Sequence, residues 1–98
     1  MSIETIAVLG AGTMGRGIAH VAAQGGYATR LFDTQQEALE NALAVVHRNL
    51  DKGVELGKVD TDVASRAKEN LEVEAALEQA VAGADLVIEA APESMPLK

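Results

Sequence analysis

An α/β fold built on a parallel sheet is what this sequence predicts, and three observations predict it. Short apolar runs alternate with helix-patterned segments along all 98 residues, the order that parallel strands joined by crossover helices produce. A glycine-rich turn, Gly10-Ala11-Gly12-Thr13-Met14-Gly15, joins the first apolar run to the first helical segment. Apolar residues make up 48% of the chain, yet Tyr27 and Phe32 are its only rings and alanine is its commonest residue. Small side chains suit thin, closely packed layers better than a sandwich that needs large aromatics. The length allows one small domain and no second core.

Taken in order, residues 3–9 form an increasingly apolar run, as a strand covered on both faces requires. Thr13 to Gln24 places Met14, Ile18, Val21 and Ala22 at helical spacing, and Gly25-Gly26 supplies a helix end. Tyr27 to Phe32 is a second strand leading into Asp33. Thr34 and Glu37 have the spacing of a capping box, and Ala38, Leu39, Ala42, Leu43, Val46 and Leu50 mark one face of a long helix. Gly53 and Gly57 are expected to loosen its end. A shorter helix over Thr61 to Glu69 completes a helical hairpin inserted between strands two and three. Leu71 to Val73 is a third strand, Ala75 to Ala82 a helix ended by Gly83, and Ala84 to Ala90 a fourth strand.

Composition excludes several chemistries. With no cysteine there is no disulfide scaffold, thiolate metal site or thiol nucleophile, and the chain fits a reducing compartment. The only histidines, His20 and His47, stand in no metal-binding frame and read as ordinary helix residues, so no metal is expected. A net charge of −7 opposes general phosphate-backbone binding, so no nucleic-acid partner is expected. No apolar run approaches the ~18 residues of a membrane span, and the basic start of a signal peptide is missing. The chain reads as cytoplasmic, without a membrane partner.

The turn Gly10 to Gly15 has the GxGxxG pattern, which gains meaning from its position. It follows a predicted strand, opens a helix, and has an acid, Asp33, at the end of the next strand, 18 positions past Gly15. This makes the sheet Rossmann-type. Gly10 makes the tight turn, Gly12 lets backbone amides reach a pyrophosphate, and Gly15 lets the helix pack close to the sheet. The amides and positive end of the helix starting near Thr13 bind phosphate without a lysine, which reconciles an acidic chain with an anionic ligand. A carboxylate at Asp33 accepts hydrogen bonds from an adenosine ribose diol and repels a 2′-phosphate. Thr34 and Gln35 offer no cation to offset that repulsion, so the expected cofactor is NAD rather than NADP. A P-loop is a near miss, because Arg16-Gly17 stands where Lys-Ser/Thr is required.

Val8 to Ala19 around that turn, Leu31-Phe32-Asp33, Asn49-Leu50 with Gly57-Lys58, and Asp85-Leu86-Val87-Ile88-Glu89-Ala90-Ala91-Pro92-Glu93 together resemble the start of a 3-hydroxyacyl-CoA dehydrogenase, of the bacterial 3-hydroxybutyryl-CoA kind. The resemblance runs over essentially the whole chain. It implies NAD-dependent interconversion of a 3-hydroxyacyl-CoA and a 3-oxoacyl-CoA. It places cofactor contacts on Gly10, Ala11, Gly12, Thr13, Met14, Gly15 and Asp33, on the backbone at Ala90 and Ala91, and on Glu93 and Lys98 near the nicotinamide ribose. In the family the inserted hairpin contributes to the acyl-CoA site, which singles out Asn49 and Lys52 for substrate. Arg48 and Lys58 are cations nearby. Asp51, Glu55, Asp60 and Asp62 are interleaved among them, however, and a solvated, salt-bridged hairpin accounts for the same charges. Glu89 reads as support for the binding site rather than as a general base.

The family's catalytic His and its orienting Glu lie downstream of residue 98, so no catalytic residue is assigned. Residues 1–98 are then expected to be the N-terminal part of a dinucleotide-binding domain, holding only the first four strands. The rest of the sheet and a helical substrate and dimerisation domain, through which the enzyme forms a homodimer or higher oligomer, lie beyond. Two other readings stay open: a non-catalytic NAD- or nucleotide-sensing module, and the dehydrogenase part of a multifunctional β-oxidation subunit. A start at Met1 directly before strand one speaks against the latter.

Overall fold

Alternating apolar runs and amphipathic segments produce eight elements in a computed structural model that describes residues 3–90. These are β1 (Thr5–Leu9), α1 (Thr13–Gln24), β2 (Ala28–Phe32), α2 (Gln36–Glu55), α3 (Thr61–Asn70), β3 (Leu71–Glu74), α4 (Leu77–Val81) and β4 (Leu86–Glu89). All strand pairs are parallel, in the order β3-β2-β1-β4. Both crossovers that build β1, β2 and β3 carry the chain one way across the sheet. The return from β3 to β4 passes over two strands, and it is made by α4.

The sheet separates two layers because side chains alternate along each strand. Ile6, Val8, Thr29 and Leu31 are buried toward α1, while Ala7 and its register partner Arg30 face α4. Facing the sheet, α1 buries only Gly15, Ala19, Ala22 and Ala23. This explains the abundance of alanine: a helix with so small an inner face lies close to the strands. Bulk comes from α2, whose Leu39, Ala42, Val46 and Leu50 recur at helical spacing and are almost fully buried. Each such leucine contributes about 1.5–3 kcal/mol through apolar burial.

The hairpin between β2 and β3 forms as expected, but it is not an appendage. Ala64 and Ala67 of α3 join the same core as α1, and Asn70 Nδ2 donates to the carbonyl of Ala23, 3.1 Å away. Gly53 does not loosen the end of α2. It lies inside the helix, where a Cβ would come within 2.8 Å of the Val59 side chain, so its bareness lets the returning chain pack closely. The fourth strand is apolar in sequence but open in the structure, with Leu86 and Val87 39% and 46% exposed.

The sheet's far corner is closed by one carboxylate. Asp85, just before β4, accepts the N–H groups of Glu4 (2.9 Å) and Thr5 (3.0 Å) through Oδ2, and these bonds hold its carboxyl below the ordinary aspartate range. A folded-state pKa below the unfolded value of about 3.9 means that this contribution is present above that value. It is lost as pH falls through the folded value. Asp85→Asn is therefore expected to lower the urea midpoint near neutrality, with the gap from wild type closing as the pH drops below about 4. A gap that stays constant down to low pH would show that the charge of Asp85 contributes nothing.

Candidate functional site

From β1 the chain turns one way to β2, and β4 arrives on β1's other side. In open α/β sheets the crevice beyond the strand ends at such a switch point is where ligands bind. Here the strand ends are stitched together: Gly10 N–H donates to Phe32 O and Ala90 N–H to Leu9 O, each at 2.7 Å. Gly10 has φ of 111°, a left-handed conformation that suits glycine and strains other residues.

The two later glycines of the turn are there for different reasons. A Cβ on Gly15 would lie 1.7 Å from Gly10 O, 2.8 Å from Gly10 C and 3.5 Å from the Cβ of Ala90. The first turn of α1 is thus pressed against the loop, and Gly15 is required by the chain itself. At Gly12 a Cβ would meet nothing within 4 Å, and φ of −72° is open to any residue. Nothing in the protein's own packing calls for glycine there, but a ligand resting on the loop would. Gly12 is also the N-cap of α1, with no side-chain cap and no acid in the first turn. The helix therefore presents unpaired amides and its positive end, a setting suited to pyrophosphate.

Asp33 follows β2 and uses both carboxylate oxygens. Oδ2 accepts the N–H of Ala11 and Oδ1 the N–H of Gln35, each at 2.8 Å. Lone pairs remain on both oxygens for a ribose diol. The Asp33–Gln35 bond also explains why the expected capping box of Thr34 and Glu37 does not form. The local turn carries the chain one residue further, α2 begins at Gln36 with Gln35 as N-cap, and no side chain caps it.

Between these loops lies a cleft of about 560 Å³, with Gly10, Gly12, Phe32, Asp33, Ala38 and Leu77 among its walls. Glu89 lines it too. Of the residues expected to bind cofactor, Gly10, Gly12 and Asp33 border this cleft. Ala11, Gly15 and Ala90 are buried around the turn. Thr13 and Met14 border an adjoining apolar groove of about 670 Å³ that includes Ile6, Ile18, Val21 and Tyr27. Ala91, Glu93 and Lys98 lie outside the described residues. Asn49 and Lys52 are exposed and not part of the cleft. They sit on the second half of α2, and a rise of about 1.5 Å per residue puts them roughly 20 Å along it from its start. Lys68 and Asp51 form an ion pair at 2.6 Å, the only one among the described residues.

Sequence reasoning missed Ala38 and Leu77 as cleft walls. Ala38 read only as a core-facing helix position, and Leu77 comes from a segment whose place across the sheet no local pattern reveals. His20 pairs with Gln24 at 3.0 Å on the surface of α1, and the buried Nε2 of His47 has no partner among the described residues. No acid and histidine cluster able to hold a metal occurs among the described residues. No helix there is long and apolar enough to cross a membrane.

Known proteins share this sequence and geometry. Residues 5–98 match the family described as 3-hydroxyacyl-CoA dehydrogenase, NAD binding domain. The chain is 41% identical over 98 residues to 3-hydroxyadipyl-CoA dehydrogenase of Escherichia coli (strain K12), covering 100% of this chain and 20% of that protein. It is 40% identical over 99 residues to a probable 3-hydroxybutyryl-CoA dehydrogenase of Bacillus subtilis (strain 168), covering 100% of this chain and 34% of that protein. The crystal structure of (S)-3-hydroxybutyryl-CoA dehydrogenase from Ralstonia eutropha superposes with a TM-score of 0.88 at 31% identity, over 96% of this chain and 33% of that one. The chain thus spans between a fifth and about a third of the length of these relatives. With its parallel sheet, glycine turn and strand-end acid all in place, the chain belongs to the family of NAD-binding domains of the 3-hydroxyacyl-CoA dehydrogenases, and its cofactor is NAD.

Proposed function

We propose that this domain holds NAD for an enzyme that interconverts 3-hydroxyacyl-CoA and 3-oxoacyl-CoA. The observation that carries this reading is the pairing of an uncapped α1 N-terminus at Gly12 with the Asp33 carboxylate across one cleft. When bound, NAD supplies a hydride acceptor for the carbon bearing the 3-hydroxyl, and its reduced form a donor for the reverse reaction. The chain's own part is to bind and orient. Backbone amides from Gly10 to Gly15, including those of Thr13 and Met14, hold the pyrophosphate, and Asp33 holds the adenosine ribose. Ala90 and Ala91, with Glu93 and Lys98, serve the nicotinamide side. Asn49 and Lys52 serve the acyl-CoA, and their distance from the cleft suits a substrate as long as CoA.

On this reading residues 1–98 are the N-terminal part of a dinucleotide-binding domain, and the proton-transferring pair belongs to polypeptide matching the remainder of the relatives. The complete enzyme is cytoplasmic and a homodimer or higher oligomer. Titration with both cofactors tests the Asp33 assignment. NAD is expected to bind at least about tenfold more tightly than NADP, because a 2′-phosphate would meet a carboxylate with no cation beside it. Equal or tighter binding of NADP would refute the assignment.

A further inference from the structure

Arg30 is the middle residue of β2 and faces α4 rather than solvent alone. Its Nη1 donates to the carbonyls of Gln79 (3.4 Å) and Ala80 (3.3 Å), and also to that of Ala82. No carboxylate among the described residues pairs with it. A guanidinium committed to backbone carbonyls in this way sits at the negative end of a helix.

That helix needs an anchor. α4 has five residues, and Ala80 is its one buried side chain. A helix so short has no persistence of its own, and one buried methyl group holds it weakly. At its other end Leu77 lines the cleft with Ala38 and Asp33. Ala38 and Leu77 give the cleft apolar surface beside the ribose-binding acid, which suits the faces of a purine.

We propose that Arg30 is a positioning residue for the cofactor: by tying the end of α4 to β2 it fixes Leu77 as a wall for the adenine ring. This rests on the reading of the cleft as the NAD site. Arg30 does not touch the nucleotide, so its effect is confined to the adenine end.

The test uses the protein with Arg30→Met, which keeps the apolar stem and removes the donors, and Arg30→Lys, which keeps one charged donor. NAD affinity is read by calorimetry. The distribution of saturation transfer from protein to NAD is read by NMR as the ratio of adenine H2 and H8 to the adenosine-ribose H1′. That ratio does not depend on the fraction of folded protein, so simple destabilisation leaves it unchanged. Arg30→Met is expected to weaken NAD by about tenfold and to lower the adenine-to-ribose ratio, with Arg30→Lys intermediate in both. An unchanged ratio in both variants would overturn the role of Arg30. Leu77→Asp separates the two levels of inference. If it leaves affinity and ratio as in wild type, the cleft is not where adenine sits. If it lowers both while the Arg30 variants do not, the cleft stands and the positioning role falls.

Discussion

Gly15→Ala is expected to destabilise the protein by about 3 kcal/mol or more and to abolish NAD binding. A single methyl group is usually cheap on a helix, and alanine favours helices over glycine by about 1 kcal/mol. Here the methyl carbon would sit 1.7 Å from a backbone oxygen, that of Gly10, which is itself fixed by its N–H bond to Phe32. No rotamer relieves a clash with main chain. Either α1 moves off the sheet, uncovering the core under Ala19 and Ala22, or the turn deforms and the left-handed Gly10 is lost. Domains of this size hold roughly 5–15 kcal/mol in all, so the urea midpoint followed by circular dichroism should fall steeply. A midpoint equal to that of wild type would mean that the close contact of helix and turn is absent in solution.

Gly12→Val is expected to give the opposite separation. Its Cβ meets nothing, and its backbone conformation is extended, so folding should change by about 1 kcal/mol or less, the scale of an N-cap substitution. NAD affinity, in contrast, should fall by about a hundredfold or more, because the branched side chain fills the space in which a phosphate must approach the amides. Calorimetric titration beside a denaturation curve reads both quantities on one sample. Wild-type affinity in this variant would place the pyrophosphate elsewhere, however well the rest of the turn fits the pattern.

These two glycines show what a sequence can and cannot convey. Gly10 and Gly15 were legible because backbone sterics impose them, and Gly12 and Asp33 because they stand at fixed intervals from those two, and local spacing survives folding unchanged. Helix and strand boundaries were legible to within a residue or two for the same reason. The capping box was not, because Thr34 and Glu37 had a competitor in Asp33, whose bond to Gln35 shifts the helix start. The closure by Asp85 and the bonds of Arg30 join residues about 80 and 50 positions apart, and no local pattern encodes such partners. Leu86 and Val87 lie open on the sheet edge among the described elements, which accords with a sheet expected to continue beyond its first four strands.

Asp33 accepts the Ala11 amide inside the glycine turn and also lines the cleft, so under the proposed function it has two roles at once, one in the turn and one toward the adenosine ribose. Under that function, specificity and architecture are coupled at this position. On that reading, exchanging Asp33 for lysine or arginine removes the repulsion of a 2′-phosphate and, in the same step, leaves the Ala11 amide without its acceptor, whereas asparagine keeps an acceptor oxygen. A successful exchange of cofactor has to supply a new acceptor for Ala11 along with any new cation. A single change of Asp33 to a cation is therefore expected to loosen the glycine turn along with any shift in cofactor preference.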